Sequence, residues 1–418
     1  MRCVVFGATG YLGGRLVPEL LDAGHTVRVL ARDPGKIDDA PWRDRVEVVR
    51  GDVTRAVDVR TALDGQKVLY YLVHSLGRAD FENVDRAAAT LVAAESERAG
   101  LTRSVYLGGI TPTGQELSRH LASRAEVGEI LLRAPTPAVV LRAAVIIGSG
   151  SASFEMLRYL TERLPVMVTP RWVRSRIQPI AVRDVLHYLV HAADLPGTVN
   201  DAFDIGGPDV LTYEGMMRGY AEAADLPRRM IMPVPVLTPW LSAQWVNLVT
   251  PVPRALAVPL MESLINDVVC EDHRIADFIP DPPAGLTSYS GAVSLALHRI
   301  RDRDVPTRWS DAGLPDAPSD PLPTDPDWSG GSLYSDVRER HTTADPATLW
   351  AVLEAVGGEN GWYSFPLAWA LRGWIDRLLG GGGGGRGPRA PPPPPHTEAT
   401  PRVGGLRTHQ APTGSTSR

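Results

Sequence analysis

The sequence predicts an α/β protein whose N-terminal part is a doubly wound parallel sheet with helices on both faces. Residues 1–145 alternate short β-branched runs with amphipathic stretches, which is the pattern of βαβ units. A glycine-rich loop lies between the first such run and the first amphipathic stretch. Hydrophobic residues make up 44% and charged residues 22% of the 418 residues, a balance typical of a globular protein.

Strands and helices follow one another in regular order through this region. Apolar β-branched runs predict the strands, and Ala-rich stretches with Glu and Arg on one face predict the helices. The predicted strands are Cys3–Gly7, Thr26–Ala31, Val46–Arg50, Val68–Val73, Ser104–Leu107 and Ala138–Arg142. The predicted helices are Tyr11–Asp22, Val57–Leu63, Phe81–Ala99 and Leu117–Leu132.

The chain after the sheet is predicted to form a smaller, substrate-side part. Ile177–Ala193 and Ala202–Ala224 resume the strand-then-helix order between proline-containing loops, and we assign residues 148–300 largely to this part. Met230–Pro253 contains no charged residue, but its prolines leave a helix of only about three turns. We expect a buried or lid helix and no transmembrane span, with peripheral membrane contact as the alternative.

Composition divides the chain into predicted segments. Residues 1–225 form the sheet domain with part of the substrate side, and residues 226–309 form the apolar cap. Residues 310–332 are rich in Pro, Asp, Ser and Gly, which predicts a linker. An incomplete α+β C-terminal domain is expected at 333–379, and glycine and proline runs predict a disordered tail at 380–418.

Charge and cysteine content limit the partners and the compartment. A net charge of −5 and a pI near 6.1 give no reason to expect nucleic-acid binding, so small molecules are the expected partners. Cys3 and Cys270 lie far apart, and they predict neither a disulfide nor a metal site. An apolar strand begins almost at the N-terminus, which leaves no room for a secretion signal, and we expect a cytoplasmic protein. No pattern indicates an oligomeric state.

The glycine-rich loop is Gly7-Ala8-Thr9-Gly10-Tyr11-Leu12-Gly13. Gly7 permits a tight turn, Gly10 lets the backbone approach a pyrophosphate, and Gly13 lets the helix pack closely on the sheet. Phosphate charge would then meet the N-terminus of the following helix. The loop predicts a Rossmann-type dinucleotide site, to which the intervening residues also contribute, namely Thr9, Tyr11 and Leu12.

The end of the second strand indicates which dinucleotide is bound. A carboxylate at this place usually binds the ribose 2′-hydroxyl of NAD. Arg32 lies there, and a guanidinium suits the 2′-phosphate of NADP. We expect NADP to be preferred, with NAD as the alternative if Asp33 points at the ribose and Arg32 is a solvated charge.

Two further strand ends contribute to the predicted cofactor site. Asp52 and Val53 follow the third strand and are expected beside the adenine ring, although Asp52 or Thr54 can also serve as the N-cap of the next helix. At the end of the fourth strand, where the nicotinamide ribose should lie, the residues are Leu72, Val73 and His74. His74 is either a cofactor or substrate contact or a structural loop residue.

These motifs resemble the short-chain dehydrogenase/reductase superfamily, in its extended and atypical, NmrA-like branch. The resemblance covers residues 1–224 and rests on the glycine loop, on Gly51–Val53, on Ile177–Val185 and on Phe203–Pro208. It implies a Rossmann fold, an NAD(P) cofactor and an oxidoreductase or epimerase-like activity.

Catalysis in that superfamily uses a Tyr and, four residues later, a Lys on one helical face, because the Lys charge lowers the pKa of the Tyr. The corresponding helix here carries His120 and Arg124 at this spacing, and neither Tyr nor Lys. Arg124 should favour the neutral form of His120 and leave a general base; the alternative is a surface pair without a catalytic role. Arg142 is a candidate for binding a substrate anion.

Beyond Trp309 the chain resembles the C-terminal domain of some bacterial members, which implies a helix-grip, polyketide-cyclase-like cavity. That domain continues into Arg-rich and β-strand sequence, whereas this chain continues into glycine and proline runs. We therefore expect a frameshift or truncated reading frame, and a loosely packed or partly helical segment at Leu333–Leu379.

Two classes of function follow from these patterns. One is an NADP-dependent oxidoreductase or epimerase-like enzyme whose hydrophobic substrate lies near Trp240 and Trp245. The other is a non-catalytic NADP(H) sensor whose domain arrangement is recognised by a partner. The apolar cap favours the enzyme, because it is typical of a ligand cavity.

Overall fold

The computed structural model describes residues 1–75, 80–112, 114, 117–234, 266–302 and 305–307, with isolated positions at 345, 348, 402–403 and 406–407. The chain divides into two compact units, Met1–Ser332 and Leu333–Arg418. The predicted cap residues from 235 to 265, with Trp240 and Trp245, lie outside the described residues, as does nearly all of the predicted C-terminal domain.

The N-terminal part of the first unit alternates strands and helices as the sequence predicts. Predicted and observed bounds agree within two residues, because local hydrophobic periodicity determines them. The elements are β1 (Arg2–Phe6), α1 (Tyr11–Asp22), β2 (Thr26–Ala31), β3 (Glu47–Arg50), α2 (Ala56–Leu63), β4 (Val68–Tyr71), α3 (Phe81–Arg98), β5 (Arg103–Gly109), α4 (Arg119–Arg133) and β6 (Ala138–Ala143).

Helix α4 begins two residues later than predicted, at Arg119. The reason is Ser118, whose side chain accepts a hydrogen bond from the backbone N–H of Leu121 at 3.3 Å. A serine in this position is an N-cap, so it lies outside the helix that it starts.

The rest of the first unit contains shorter strands and longer connections. Short 3₁₀ helices lie at Pro34–Ile37, Arg43–Arg45, Arg171–Arg174 and Arg274–Asp277. The other elements are β7 (Ile146–Ile147), α5 (Ala152–Arg163), β8 (Val166–Pro170), β9 (Arg176–Ile177), β10 (Ile180–Ala181), α6 (Val182–Ala192), β11 (Asp201–Ile205), β12 (Leu211–Thr212), α7 (Tyr213–Ala223), β13 (Met230–Val234) and α8 (Tyr289–Arg301).

The central sheet has seven strands in the order β3-β2-β1-β4-β5-β6-β11. Every neighbouring pair is parallel. The first six strands have the Rossmann order, in which the chain reverses direction across the sheet between β1 and β4. Ligands of such sheets bind beyond the carboxyl ends of the strands at this reversal.

Strand β11 corrects one prediction. The segment Ala202–Ala224 was assigned to the smaller part, but its strand pairs with β6 and extends the central sheet. The pairing buries Phe203 and Ile205 in the same apolar core as Val139 of β6. Strand β11 thus covers β6, which would otherwise be the edge strand of the sheet. The spacing of apolar residues along the chain does not show which strand pairs with β6.

Alternate residues of the strands fill two cores, one on each face of the sheet. Val5 contributes to the core beneath α1 and α6, while Val4 contributes to the core beneath α2, α3 and α4. A separate apolar core brings together α5, α7 and α8 around Phe154, Met216 and Val293. This last core lies largely within the residues that the sequence predicts to form the substrate-side part.

Two further predictions concern the apolar run and the tail. Among the residues that the structure describes, no helix has the length and apolarity needed to cross a membrane. In the tail predicted to be disordered, two short strands, β14 (Arg402–Val403) and β15 (Leu406–Arg407), form an antiparallel pair. The remaining residues of that tail lie outside the described residues.

Candidate functional site

The glycine loop connects β1 to α1 with almost no space for side chains at two of its positions. Gly7 has a φ of 93°, and a Cβ there would lie 2.6 Å from the carbonyl oxygen of Leu72. A Cβ on Gly13 would lie 2.2 Å from the carbonyl oxygen of Gly7. Both distances are far below van der Waals contact, so the turn and the packing of α1 on the sheet require glycine.

The start of α1 is open, in contrast to these two positions. Gly10 is the N-cap, it makes no side-chain cap, and the first turn contains no acidic residue. A Cβ on Gly10 would meet only the Gly7 carbonyl oxygen, at 3.3 Å. The free N–H groups and positive end of the helix dipole therefore face space that a diphosphate can occupy. Thr9 is half-buried beside this space, and Leu12 packs on the core.

Tyr11, the first residue of α1, has its hydroxyl against Gly148. Its hydroxyl is buried and has no hydrogen-bond partner among the described residues. A Cβ on Gly148 would lie 2.5 Å from that hydroxyl, so the phenol packs directly on Gly148. Burial raises the pKa of Tyr11 to about 12, with Arg15 acting in the opposite direction, so the phenol stays protonated at neutral pH.

Arg32 and Asp33 at the end of β2 have different environments. Arg32 is exposed and forms no ion pair or hydrogen bond with the part of the chain that the structure describes. The Asp33 carboxylate accepts a hydrogen bond from the backbone N–H of Gly35 at 3.2 Å, as the N-cap of a 3₁₀ helix. The carboxylate is thus held by its own turn, while the guanidinium remains available to a ligand.

Asp52 follows β3 and forms a compact turn. Its Oδ1 accepts hydrogen bonds from the N–H and hydroxyl of Thr54, at 2.9 and 2.8 Å. Burial raises the pKa of Asp52, but the two bonds from Thr54 and the charges of Arg32 and Arg55 outweigh it and hold the pKa below its ordinary value. Asp52 is therefore ionised and available to an amino group. Val53 is half-buried against the adjacent core.

The expectation that Asp52 or Thr54 caps the next helix is wrong. Helix α2 begins at Ala56, and Arg55 occupies its N-cap position without a side-chain cap. Asp58 in the first turn accepts a hydrogen bond from the backbone N–H of Asp52 at 2.9 Å. This bond fixes the turn from the helix side, so Asp52 is oriented without capping the helix itself.

The residues after β4 connect the glycine loop to a second group of polar side chains. Leu72 contacts Gly7, Leu72 and Val73 are half-buried, and His74 is exposed. The next residue, Ser75, donates hydrogen bonds from its N–H and its hydroxyl to Asp85 of α3. Asp85 is buried, and its burial raises the pKa of the carboxyl.

The sequence predictions missed Asp85, although a signal was present. Asp85 lies on the apolar stripe of α3 with Phe81, Ala88, Ala89 and Val92, all of which are buried. A carboxylate among apolar residues at helical spacing indicates a buried partner, because an unpaired buried charge is costly. The partner is the loop that carries His74.

His74, His120 and Arg124 are brought within electrostatic range of one another. Burial and then the charge of Arg124 lower the pKa of His120 to about 3. Desolvation and then the charges of Arg124 and His120 also lower the pKa of His74, although the residue as a whole is exposed. Both imidazoles are therefore neutral at neutral pH, and Arg124 carries the charge of the group.

Arg124 is oriented by Tyr106 of β5. Its side chain hydrogen-bonds the Tyr106 phenol, which donates in turn to the Arg124 carbonyl oxygen at 3.3 Å. Burial raises the pKa of Tyr106 and of the neighbouring Tyr71. Every described tyrosine with a shifted pKa has a raised pKa. None of these phenols therefore has the lowered pKa that the Lys gives to the catalytic Tyr of the superfamily.

Arg142, expected to bind a substrate anion, is occupied by another contact. Its Nε lies 2.7 Å from Oδ1 of Asp204, whose side chain is 3% exposed. The other Asp204 oxygen accepts hydrogen bonds from the backbone N–H groups of Glu271 and Asp272. The guanidinium therefore neutralises a buried carboxylate. Within the described ranges no cluster of three acidic, histidine or cysteine side chains could hold a metal ion.

Family models match the two ends of the chain. A family described as NAD(P)H-binding matches residues 7–141, which contain the glycine loop and the strands that surround it. A second family, described as Protein of unknown function (DUF2867), matches residues 328–408. The second match is consistent with the cyclase-like resemblance and continues into the segment predicted as tail.

Two relatives each match more than half of this chain. A ceramide reductase of Caulobacter vibrioides is 33% identical over 236 residues, which are 54% of this chain and 72% of that protein. The mitochondrial NADH dehydrogenase [ubiquinone] 1 alpha subcomplex subunit 9 of Arabidopsis thaliana is 24% identical over 292 residues, covering 65% of this chain and 71% of the relative.

Solved structures share the fold. The triphenylmethane reductase of a Citrobacter species, in complex with NADP(H), has a TM-score of 0.57 at 18% identity and covers 71% of this chain and 100% of its own. A nucleoside-diphosphate-sugar epimerase of Staphylococcus aureus has a TM-score of 0.57 at 14% identity, covering 70% of this chain and 100% of its own. At these identities the likeness concerns the fold alone.

Proposed function

Because the chain belongs to the NAD(P)-binding short-chain dehydrogenase/reductase superfamily, in its NmrA-like branch, we propose that it is an NADP-dependent oxidoreductase that reduces a carbonyl group of a hydrophobic small molecule. The observation that carries the proposal is the position of His74, His120 and Arg124. The same short segment, Leu72–His74, contacts the glycine loop at one end and this polar group at the other. We also propose a cytoplasmic location and no nucleic-acid partner.

The residues present fit a dinucleotide. The open N-terminus of α1 above Gly10 would hold the diphosphate, the ionised Asp52 would accept from the adenine amino group, and Arg32 would bind the 2′-phosphate. Space above Gly10 and the absence of side-chain caps are what such a ligand requires. When bound, the cofactor supplies the hydride for the carbonyl carbon.

The polar group beside this site would act on the carbonyl oxygen. Arg124 forms no ion pair within the described ranges, so its charge can stabilise the negative charge that develops on that oxygen. The neutral imidazole of His120 can donate a hydrogen bond from its ring N–H, as an electrophile rather than as a charged acid. The proton that completes the alcohol then comes from water.

A lipid-like substrate is supported by two features. The ceramide reductase relative is named for a lipid substrate, and its match extends over 54% of this chain. Val166, Met230 and Met232 are exposed on the pair of strands β8 and β13, where the uncharged run begins. Exposed apolar residues in such a group mark a surface that an apolar ligand can cover.

The test of the function begins with binding and continues with turnover. We expect NADPH fluorescence to change on binding, and the absorbance at 340 nm to fall when long-chain ketones, aldehydes or quinones are added. Arg124→Met is expected to lower kcat/KM roughly 100- to 1000-fold, because it removes the charge beside the oxygen. Arg133→Met is the matched control, since Arg133 ends the same helix and its side chain is 79% exposed. Equal activity of both variants would contradict the role of Arg124.

The pKa of His120 predicts the pH dependence of turnover. Its value of about 3 means that the imidazole is neutral throughout the range above roughly pH 4. We therefore expect kcat/KM to be flat between about pH 5 and 8, without an inflection near the ordinary histidine pKa. A bell-shaped profile centred near pH 6.5 that His120→Ala abolishes would show that the imidazole acts as a charged acid or as a base.

Arg32→Ala is expected to weaken NADPH binding roughly 10- to 100-fold and to leave NADH binding unchanged, since charge-assisted hydrogen bonds contribute about 1.5–3 kcal/mol. Fluorescence titrations with both dinucleotides measure the two effects. Arg45→Ala is the control for net charge, because Arg45 is exposed and pairs with Asp22. An equal loss of affinity for both dinucleotides would contradict contact with the 2′-phosphate.

A second candidate function is a non-catalytic NADP(H) sensor. The observation that favours it concerns the described imidazoles and phenols: His74 and His120 are neutral at neutral pH, and the tyrosines with shifted pKa values are less acidic than usual. The Arabidopsis relative is named as a subunit of a larger enzyme, which is a non-autonomous role. NADPH binding without turnover on any carbonyl in the panel would favour the sensor over the reductase.

A further inference from the structure

Val305–Thr307, the segment that follows α8, returns to the first turn of α1. The hydroxyl of Thr307 donates a hydrogen bond to the carbonyl oxygen of Tyr11 at 2.8 Å, across 296 positions of sequence. The same hydroxyl accepts a hydrogen bond from Nε of Arg15 at 2.9 Å. A distant part of the chain is thus bonded to the first residue of the cofactor helix. We call Val305–Thr307 the strap.

The helix surface is shaped to receive the strap. A Cβ on Gly14 would lie 2.7 Å from the methyl carbon of Thr307, so that methyl group occupies the space that glycine leaves. Val305 packs against the substrate-side core at the other end of the strap. Both the hydroxyl and the methyl group of Thr307 therefore have defined positions, as in a packed interior.

Arg15 joins the strap to a third segment. Its side chain is buried, and Nη2 donates hydrogen bonds to the carbonyl oxygens of Ser149 at 2.7 Å and of Thr307 at 3.4 Å. The guanidinium carbon lies 4.8 Å from the centre of the Tyr11 ring. The Arg15 side chain thus connects α1 to the loop after β7 and to the strap. These contacts surround Tyr11, the residue that begins the helix.

We propose that Thr307 is a positioning residue for the dinucleotide, acting through Tyr11 and Arg15. The first turn of a helix is the part most prone to fray, and its free N–H groups are those that bind phosphate. A turn that is already held needs less ordering when the ligand binds, which strengthens binding. By linkage, bound dinucleotide must stabilise the docked strap by the same factor.

Two substitutions of Thr307 test the proposal. Thr307→Val keeps the shape and removes both hydrogen bonds of the hydroxyl, and we expect it to weaken NADPH binding about tenfold. Thr307→Ser retains the hydroxyl and should restore most of the affinity. Thr212→Val is the matched control, because the Thr212 hydroxyl bonds the Gly215 N–H of α7 at 3.0 Å, in the substrate-side part. Affinity is measured by fluorescence titration and stability by thermal unfolding without ligand.

The outcomes separate positioning from plain stability. Thr307→Val and Thr212→Val should both lower the unfolding temperature, and only Thr307→Val should change the affinity for NADPH. Unchanged affinity in Thr307→Val would overturn the proposal. Hydrogen–deuterium exchange of the unaltered protein supplies a test that needs no variant: saturating NADPH should slow exchange in the peptide that contains the strap, and equal exchange with and without NADPH would also overturn it. Neither result depends on whether the protein reduces a carbonyl.

Discussion

Gly10→Ala is expected to reduce NADPH binding roughly 100-fold while leaving the fold intact. The methyl group would project into the space that the diphosphate needs, and an overpacking cost of about 3 kcal/mol corresponds to roughly this factor. The unliganded protein tolerates the change, because a Cβ there meets only the Gly7 carbonyl oxygen, at 3.3 Å. Gly10 has φ −95° and ψ 174°, an extended conformation that alanine adopts readily.

Gly13→Ala is the informative contrast to this variant. Its Cβ would lie 2.2 Å from the backbone of Gly7, so helix α1 must move away from the sheet. We expect this variant to lose about 1–3 kcal/mol of stability as well as affinity. One glycine thus serves ligand approach and the other serves packing, although the sequence motif presents them alike.

Fluorescence titration with NADPH and thermal unfolding without it measure the two effects. Gly197→Ala is the control, because a Cβ there has no atom within 4 Å. Binding by Gly10→Ala as tight as that of the unaltered protein would remove the loop from the diphosphate site. A large fall in the unfolding temperature of Gly10→Ala would show that the glycine is needed for the fold instead.

Arg103→Met is expected to destabilise the first unit by about 3–5 kcal/mol. Arg103 begins β5, is 2% exposed, and donates hydrogen bonds to carbonyl oxygens that follow or end helix α6. The acceptors are Ala192, Ala193, Leu195 and Pro196. Methionine has similar length but no donor, so these buried acceptors would lose their partner, and such losses cost about 1–3 kcal/mol each without adding fully.

The position of Arg103 explains why a buried cation is tolerated. Burial lowers its pKa, as expected for a charge removed from water. The carbonyl groups at the end of α6 carry the negative end of the helix dipole, which compensates the guanidinium. A neutral residue of the same size would therefore fill the space of Arg103, but it would not compensate the negative end of the α6 dipole.

Urea unfolding at neutral pH without NADPH measures the loss. Arg133→Met is the control, since Arg133 ends α4, its side chain is 79% exposed, and it pairs with Glu129, whose side chain is 58% exposed. Such exposed pairs contribute at most about 1 kcal/mol. Similar unfolding midpoints for the two variants would contradict the structural role of Arg103.

The cofactor site shows how far local patterns extend. Gly7, Gly10 and Gly13 have conformational and packing requirements that follow from a strand, a turn and a helix in immediate succession, so the motif predicts them. Asp52 was also placed at its strand end from sequence. Its turn with Thr54 was mistaken for a helix cap, because the two use the same hydrogen-bonding groups and differ only in where the helix begins.

The polar group beyond β4 depended more on tertiary structure. The spacing of His120 and Arg124 indicated one helical face and a neutral imidazole, but burial is the larger cause of the lowered pKa. Burial depends on which parts of the chain cover a residue, and the spacing of residues in the sequence does not give that information. His74 joins the group only because the fold brings the residues after β4 within electrostatic range of His120 and Arg124 on α4.

The sequence by itself determined the α/β fold class, the bounds of the early elements to within two residues, and the dinucleotide loop, because each rests on interactions among residues close in the chain. Tertiary structure alone decided that β11 joins the central sheet, that Arg142 pairs with Asp204, and that Thr307 bonds Tyr11. These contacts join residues from 62 to 296 positions apart. The free energy of such contacts comes from burial and pairing in the folded chain. Contacts of this kind produce no periodic pattern in the sequence, so the sequence does not predict them.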